Sequence, residues 1–431
     1  MDITLEDIKD FSKKYNANPV NKIIENAITN NGIENTMLDR KIIAENQPVF
    51  NIELPESTRY DQKDSYKCWI FAGLNVIKYD IANHLNIDVK DLKLSNDYIA
   101  FFDKLEKANG LYNRIIELKD VSYKFINKER VITYAVEEAG CWEWFRGIVN
   151  KYGLVPHSVM TEARESVDYN RITTIYKEKV LGDVTKLIQL KEKHTPIEKL
   201  QKQTKTFMAE NYTLLSKILG EPVQQFTYEY KDKDENLHRL ENITPIKFRE
   251  TFLKLDLNEF VHISNIPKYD KEYGKVYELE NYYQIEKYRF LNLPMKELKK
   301  IAIKQLKDHT PIWMSIYIHQ FRNEKSEVLD TRLFDYQKVL NIKPLSKEDG
   351  LNTDYITSHH AMVISGVHIV NNKPVRWKVE DSYGDKEKHH GCYIMNDNYF
   401  DRYVFDIIVN KKYLSQEQVQ QLQQKPIKYI D

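Results

Sequence analysis

Residues 61–72 read DQKDSYKCWIFA and are the most informative stretch of this chain. Cys68 lies within this stretch, and Gln62 stands six positions before it. Far downstream, residues 358–362 read SHHAM and supply His360. A lone cysteine usually fills a structural role. As a set, these residues offer a thiol nucleophile, an imidazole base and an amide donor, the combination that acyl transfer through a cysteine requires.

An amphipathic helix is predicted to begin near Cys68. Apolar residues follow at steps of three and four positions: Ile70, Leu74, Ile77, Ile81 and Leu85. This spacing gives a helix one apolar stripe, and we expect Asp64 and Ser65 to form the turn or the cap ahead of it. A helix N-terminus and a neighbouring imidazolium both stabilise a thiolate, so this position favours a reactive Cys68.

A β-hairpin is predicted over residues 362–380, with its turn at Asn371 and Asn372. Residues equidistant from such a turn lie opposite one another, with Cβ atoms about 5 Å apart. His360 and Asp381 have their midpoint beside the turn, so we expect them to face each other directly. The carboxylate of Asp381 would then orient the imidazole of His360. Gln62 would donate its side-chain amide, beside the backbone N–H of Cys68, to the oxyanion of a tetrahedral intermediate.

Composition argues against several other classes of function, although a local basic groove remains open. The 431 residues are 42% hydrophobic and 30% charged, as in ordinary globular proteins. Lys plus Arg and Asp plus Glu number 64 each, so no overall field attracts nucleic acid or an anionic membrane. The N-terminus lacks the basic and apolar regions of a secretory signal, and no apolar run approaches the ~20 residues of a membrane span. We therefore expect a cytoplasmic protein.

The three cysteines are Cys68, Cys141 and Cys392. Their small, odd number argues against a disulfide framework and agrees with a reducing compartment. We interpret Cys141 as cleft wall or core and Cys392 as a strand residue of the core. His389, His390 and Cys392 could form a metal site, but no second pair at zinc-ligand spacing supports it. We predict no metal and no cofactor.

Three blocks of this sequence resemble the active-site blocks of papain-like cysteine peptidases, in the branch of bleomycin hydrolase and aminopeptidase C. They are Gln62 with residues 68–72, residues 360–362, and residues 377–385. Further matches lie at residues 102–109, 151–156, 158–160, 329–331 and 411–414. The similarity spans nearly the whole chain and is weakest between residues 161 and 242.

The resemblance implies an α+β papain-like fold, with the active site between a helical lobe and an antiparallel β-barrel lobe. Large helical insertions in this branch account for the 292 positions between Cys68 and His360 (360 minus 68). We expect an N-terminal arm and helical lobe over residues 1–160, a mainly helical insertion over 161–295, and a β-rich lobe with a C-terminal arm over 296–431.

The resemblance also implies a function. Cys68 would be the nucleophile, His360 the base, Asp381 the orienting residue and Gln62 the oxyanion donor of a cytosolic peptidase. It would act on short peptides as an aminopeptidase, through a thioester. We expect a homohexamer with its sites facing an internal chamber.

The chain departs from the family pattern around the cleft. Asp381 replaces an Asn, Tyr383 a Trp, and Tyr66 a Gly. The family's Asp-Gly-Gly-Gln-Trp segment reads EAGCW over residues 138–142, and His359 stands where Thr is usual and would not be catalytic. The expected substrate-binding residues are Tyr66, Ala139, Gly140, Cys141, His359, Tyr383 and Asp431.

These departures leave two alternatives open. The carboxylate of Asp381 raises the pKa of His360 above the value that an amide would give. The chain also ends roughly eight to ten residues before the family pattern does, and in aminopeptidase relatives that arm enters the cleft and its carboxylate receives the substrate amine. The first alternative is an oligopeptidase or endopeptidase with the same chemistry. The second is a caged scaffold or peptide-binding protein with weakened catalysis.

Overall fold

The computed structural model describes residues 2–57, 60–128, 130–132, 136–280, 285–384 and 391–429. Its helices in these residues are α1 (Leu5–Asn16), α2 (Pro19–Asn31), α3 (Ile33–Met37), α4 (Arg40–Glu45), α5 (Cys68–Leu85), α6 (Asn96–Glu117), α7 (Tyr123–Lys128), α8 (Trp142–Tyr152), α9 (Tyr169–Glu192), α10 (Ile197–Leu219), α11 (Pro245–Phe252), α12 (Met295–Lys307), α13 (Tyr336–Leu340), α14 (Lys347–Asn352), α15 (Asp397–Tyr403) and α16 (Gln416–Leu422).

The strands form one large sheet and one separate hairpin. They are β1 (Ile52–Glu53), β2 (Phe226–Lys231), β3 (Leu237–Ile243), β4 (Phe260–Ser264), β5 (Val276–Leu279), β6 (Arg289–Asn292), β7 (Ile312–Ile316), β8 (Arg322–Asn323), β9 (Val328–Leu329), β10 (His360–Val370), β11 (Lys373–Glu380), β12 (Cys392–Asn396), β13 (Val404–Asn410) and β14 (Ile427–Tyr429). The large sheet has the order β14-β5-β6-β4-β13-β7-β10-β11-β12-β9-β8, with β1 also paired to β10, and β2 pairs with β3. Most pairs are antiparallel, whereas β12–β9, β14–β5 and β4–β6 are parallel.

Two hydrophobic cores lie on either side of the large sheet. The first joins mainly buried residues between Trp69 and Phe260, and the second mainly residues between Ile263 and Leu414. Along β10, residues 361 and 363 belong to the first core, and residues 362 and 364 to the second. Because successive side chains of a strand point to opposite faces, β10 is part of the wall between the cores.

Helix α5 begins at Cys68, as the periodicity predicts, but it is buried nearly all round. Lys78 is as fully buried as the apolar residues of the predicted stripe. The helix contacts α6 and α8 within the helical lobe and β7 and β10 of the sheet. A helix held between two lobes has no broad solvent face, so the single apolar stripe underestimates its burial.

A buried charged cluster joins the two lobes. His262 of β4 lies 3.0 Å from Glu143 of α8 through Nδ1 and 3.1 Å from Asp406 of β13 through Nε2. Burial alone would lower the pKa of His262, but the two carboxylates raise it to about 10. His262 is therefore an imidazolium between two carboxylates at neutral pH.

The predicted hairpin is present, with a correction to its register. Asn371 and Asn372 have φ values of 50° and 61°, as a two-residue type I′ turn requires. Strands β10 and β11 pair Val363 with Glu380, a register that would place Met362 opposite Asp381. Asp381 is therefore diagonal to His360. The prediction of direct opposition was wrong because the centre of the turn lies one position beyond the assumed midpoint.

Helices α1 and α2 form a pair near the N-terminus with no buried residue, and α6 follows α5 within the helical lobe. Within residues 161–295, α9 and α10 come first, and strands β2 to β6 follow with the short α11 between them. In the described parts of the chain, no helix has the length and apolar character that crossing a membrane would need.

Candidate active site

Cys68 is the first residue of α5 and lies at the junction of the lobes. The residue before it, Lys67, is the N-cap, and among the described residues no side chain caps this helix end. The N–H groups of Ile70 and Phe71 donate to the Lys67 carbonyl oxygen over 2.9 and 3.1 Å. Asp64 and Ser65 lie in the preceding turn, so they are turn residues and not the cap. The positive end of the helix dipole is thus directed at the thiol.

His360 is the first residue of β10 and is placed by its neighbour β7, where it pairs with Ile316. Its Nε2 lies 2.8 Å from Oδ1 of Asp381, so the predicted contact is made along the diagonal. His360 also hydrogen-bonds the Cys68 side chain. Since Nε2 faces Asp381, Nδ1 is the nitrogen left for the sulfur. The structure therefore brings the thiol of Cys68, the imidazole of His360 and the carboxylate of Asp381 together as a candidate catalytic triad.

The charge state of His360 follows from its neighbours. Burial alone would lower its pKa, but the charges of Asp381 and Cys68, with hydrogen bonds to both, raise it to about 10. The imidazolium form is therefore stable across the neutral range. A carboxylate orienting group strengthens this effect, because it adds a full negative charge where an amide would add a dipole.

Gln62 is held beside these three residues by backbone hydrogen bonds. Its N–H donates to the Ser382 carbonyl oxygen over 2.6 Å, and the N–H of Gly384 donates to the Tyr60 carbonyl oxygen over 2.7 Å. The Ser382 N–H in turn donates to Oδ1 of Asp381 over 2.7 Å. The Gln62 side chain is buried, and its Oε1 has no hydrogen-bond partner among the described residues. This short bridge therefore fixes the predicted oxyanion donor relative to the orienting carboxylate.

Residues 138–142, the cleft segment, pack against Trp69, the residue after the nucleophile. The Trp69 indole N–H donates to the Glu138 carbonyl oxygen over 2.6 Å. A Cβ added to Gly140 would lie 2.3 Å from the Trp69 ring, so a residue without a side chain is required there. Ala139 is exposed, and Cys141 is buried at the start of α8. Burial, followed by the charge of Glu143, holds the pKa of the Cys141 thiol well above its usual range, which does not suit a nucleophile.

Tyr66 stands two positions before the nucleophile with a left-handed φ of 56°. This conformation is comfortable for glycine, and it costs other residues roughly 1 kcal/mol. The side chain is 65% exposed. Tyr66 therefore exposes a large aromatic ring near Cys68. Its backbone conformation favours glycine, the residue that the family pattern has at this position.

Two more predicted cleft residues surround His360. The Tyr383 ring stacks on His360 with centroids 6.0 Å apart, and burial, Asp381 and Cys68 raise its pKa to about 12. His359 stacks instead on His319, with centroids 4.0 Å apart. Partial burial and the charges of His319 and His360 lower the pKa of His359 to about 4. His359 is therefore neutral at pH 7, beside a charged His360.

Some predicted residues fall elsewhere. Asp431, His389 and His390 lie outside the described residues. Cys392 begins β12. In the described segments, His, Cys, Asp and Glu side chains nowhere gather in threes as a metal site would need. Cys68, Cys141 and Cys392 are all present as thiols.

Comparison with known proteins identifies the family. The sequence matches the Peptidase C1-like family over residues 2–430. The chain belongs to this family. Aminopeptidase G of Lactobacillus delbrueckii subsp. lactis is 34% identical over 431 residues, covering 99% of this chain and 97% of that protein. Aminopeptidase C of Listeria monocytogenes serovar 1/2a is 30% identical over 434 residues, covering 99% and 96%. The crystal structure of PepW from Lactobacillus rhamnosis HN001 has a TM-score of 0.94 at 30% identity, covering 100% of this chain and 97% of that one.

These matches confirm the predicted family and the α+β papain-like fold of this C1-like peptidase. Sequence reasoning missed two side chains near the site. His319 packs on His359, and Lys107 of α6 contacts the cleft segment from below. Lys107 had a signal in the sequence, because Asp103 lies four positions, or one helical turn, before it, but its burial is known only from the structure. His319 had none, since its neighbour His359 is 40 positions away (359 minus 319).

Proposed function

We propose that this protein is a cysteine aminopeptidase that hydrolyses short peptides through a thioester of Cys68. The observation that carries the proposal is the chain from Cys68 through His360 to Asp381, closed by the 2.8 Å contact between the last two. The relatives named aminopeptidase C and aminopeptidase G support the substrate class.

The first half of the reaction forms the thioester. The Cys68 thiolate attacks the carbonyl carbon of the scissile bond, and the electron pair of that carbonyl moves to its oxygen. The Cys68 N–H and the Gln62 side-chain amide donate to this oxyanion. His360 gives its proton to the leaving nitrogen as the C–N bond breaks. The shortened peptide departs with a free amine, and the acyl group stays on sulfur.

The second half releases the acyl group. A water molecule attacks the thioester carbon, and His360 takes the proton of that water. The C–S bond breaks, which restores the thiolate beside an imidazolium. Asp381 stays ionised and holds the His360 ring through Nε2 in both halves, while Tyr383 covers that pair on one face.

The nucleophile is tested with Cys68→Ala. We expect hydrolysis of a free-amine peptide to fall on the order of a thousandfold or more, together with loss of iodoacetamide labelling at neutral pH. Cys392→Ala serves as the matched thiol control and keeps both. Turnover that persists in Cys68→Ala would overturn the proposal. A wild-type Cys68 that neither labels nor turns over peptide would favour the scaffold or peptide-binding alternative.

The aminopeptidase mode is tested with one peptide in two forms, one with a free amine and one N-acetylated. We expect kcat/KM to be at least about tenfold higher for the free amine, which corresponds to about 1.4 kcal/mol. Preference for the acetylated form would favour the oligopeptidase or endopeptidase alternative. The exposed ring of Tyr66 is the observation that favours that alternative, because it alters the cleft beside the nucleophile.

We also propose that the protein is cytoplasmic and assembles into a homohexamer. Three cysteines present as thiols agree with a reducing compartment. Helix α1 buries none of its residues, and Leu5, Ile8 and Phe11 on it are more than half exposed. We expect Leu5→Lys combined with Phe11→Lys to lower the mass measured by sedimentation. A wild-type protein that sediments as a monomer would contradict the assembly.

A further inference from the structure

The ammonium group of Lys107 contacts the backbone at the cleft segment, and all three of its N–H donors are hydrogen-bonded. Its side chain is 3% exposed. It donates to Oδ2 of Asp103 over 2.8 Å and to the carbonyl oxygens of Glu137 and Ala139 over 2.6 and 2.7 Å. An ammonium group has three donors, and each of these has its acceptor.

Two indole rings enclose the same group. Lys107 Nζ lies 5.6 Å from the centroid of the Trp69 ring and 5.3 Å from that of Trp144. Trp69 itself binds the Glu138 carbonyl oxygen. Three successive carbonyl oxygens, those of residues 137, 138 and 139, are thus held in turn by Lys107, Trp69 and Lys107.

The backbone of Gly140, which follows these three carbonyls, is not held in this way by the described part of the protein. The carbonyl oxygen of Cys141 accepts from the N–H of Phe145, which begins the hydrogen bonding of α8. Between the held carbonyls and this helix stands Gly140, pressed against the Trp69 ring. In the described chain, neither its N–H nor its carbonyl oxygen has a hydrogen-bond partner within the protein. This backbone unit is therefore available to another peptide.

We propose that Lys107 is a positioning residue for the substrate: its ammonium group holds the carbonyls of Glu137 and Ala139 so that the peptide unit of Gly140 is presented to the substrate backbone. The inference rests on the proposed function. Lys104, one turn earlier on α6, supports the same segment differently, through a buried ion pair with the Glu138 carboxylate. Lys107 acts on the backbone itself, so its loss changes the path of the segment.

The chain contains a matched control. Lys191 of α9 donates to the carbonyl oxygens of Ile115 and Ile116 over 2.9 and 2.6 Å, and to that of Leu118. It makes the same kind of contact with backbone carbonyls, at the C-terminal end of α6. Lys191→Met therefore reports what such a lysine contributes to the fold, apart from the cleft.

The experiment measures kcat and KM of the full-length protein with a free-amine tetrapeptide, and the rate of Cys68 alkylation by iodoacetamide. For Lys107→Met we expect KM to rise by about tenfold or more, since two backbone anchors are lost, with kcat changed by less than about threefold. Iodoacetamide is too small to need Gly140, so its rate should stay within about twofold. Lys191→Met should leave KM within about twofold.

Asp103→Asn is the second variant. It keeps Lys107 but weakens the ion pair that holds its ammonium group, so KM should also rise, by a smaller factor. If Lys107→Met does not fold, the KM of Asp103→Asn tests the inference. An unchanged KM in a folded variant overturns the inference. So does a rise in KM that is accompanied by an equal fall in kcat and in the alkylation rate and that Lys191→Met reproduces. Failure of the proposed function looks different, because the wild-type protein would then hydrolyse no peptide.

Discussion

The backbone N–H of Gln62 donates to the carbonyl oxygen of Ser382 over 2.6 Å, although 320 positions separate them (382 minus 62). This bond joins the segment before the nucleophile to the segment after Asp381. It holds two groups of one reaction, the oxyanion donor and the orienting carboxylate, on opposite sides of a single short bridge. Changes to the bridge should therefore alter catalysis as well as stability.

Gly384→Ala tests the bridge. Gly384 has a φ of 71°, and an added Cβ would lie 2.9 Å from Cβ of Asp61. We expect a loss of about 1–3 kcal/mol in the free energy of unfolding and a lower kcat, because the Asp61–Tyr383 pairing must shift. Gly220→Ala is the control, since its φ is 89° but its Cβ meets nothing within 4 Å. Equal effects of the two variants on kcat would contradict a role for the bridge.

Asp381→Asn tests the electrostatics of the dyad. The wild-type pKa of His360, about 10, depends on the Asp381 charge, so the amide should lower it. The imidazolium that protonates the leaving nitrogen would then be lost at lower pH, and the alkaline limb of kcat/KM should move down by about one pH unit or more. An alkaline limb that stays in place would show that Asp381 does not set this pKa.

Tyr66→Gly and Tyr66→Asn separate the ring from the backbone. Both residues tolerate a left-handed φ, so neither variant should cost more than about 1 kcal/mol of unfolding free energy. Both remove the exposed ring beside Cys68, and we expect KM for peptides with a bulky first residue to fall in both. Kinetics with a small and a bulky first residue provide the measurement. Unchanged selectivity would mean that the ring points away from the substrate.

His262→Gln tests the buried cluster between the lobes. Leaving Glu143 and Asp406 without their imidazolium should cost about 3–5 kcal/mol at pH 7. The pKa of His262 is raised in the folded state, to about 10, so its contribution is complete below its unfolded value of ~6.5 and is lost as pH rises through 10. Denaturant unfolding from pH 6 to 10 should show this decline in the wild type. The decline should be smaller in the variant, where His360, whose pKa is also about 10, still contributes. A decline of equal size in both proteins would exclude a contribution from His262.

Local patterns in the sequence were sufficient for much of the site. The apolar spacing after Cys68 predicts where α5 begins, because helical burial is read from neighbours three and four positions apart. Asn371 and Asn372 predict the turn, since they tolerate left-handed φ. The contact between His360 and Asp381 followed from that turn, although the register was misjudged by two residues.

Contacts between distant segments could not be predicted in this way. The pairing of Gln62 with Ser382, the packing of His319 on His359 and the hold of Lys107 on residues 137 and 139 join parts of the chain that share no periodic pattern. The first of these joins the two lobes, whereas the other two lie within one lobe each, and all three depend on the three-dimensional path of the chain.

Residue type and short-range spacing were enough to predict the start of α5, the hairpin turn, the family and the identity of the candidate catalytic groups. The burial of α5 between the lobes, the diagonal contact of Asp381 with His360 and the left-handed conformation that exposes the Tyr66 ring are visible only in the folded protein. Burial, register and backbone strain are set by packing between segments that lie hundreds of residues apart, and local propensity does not contain that information.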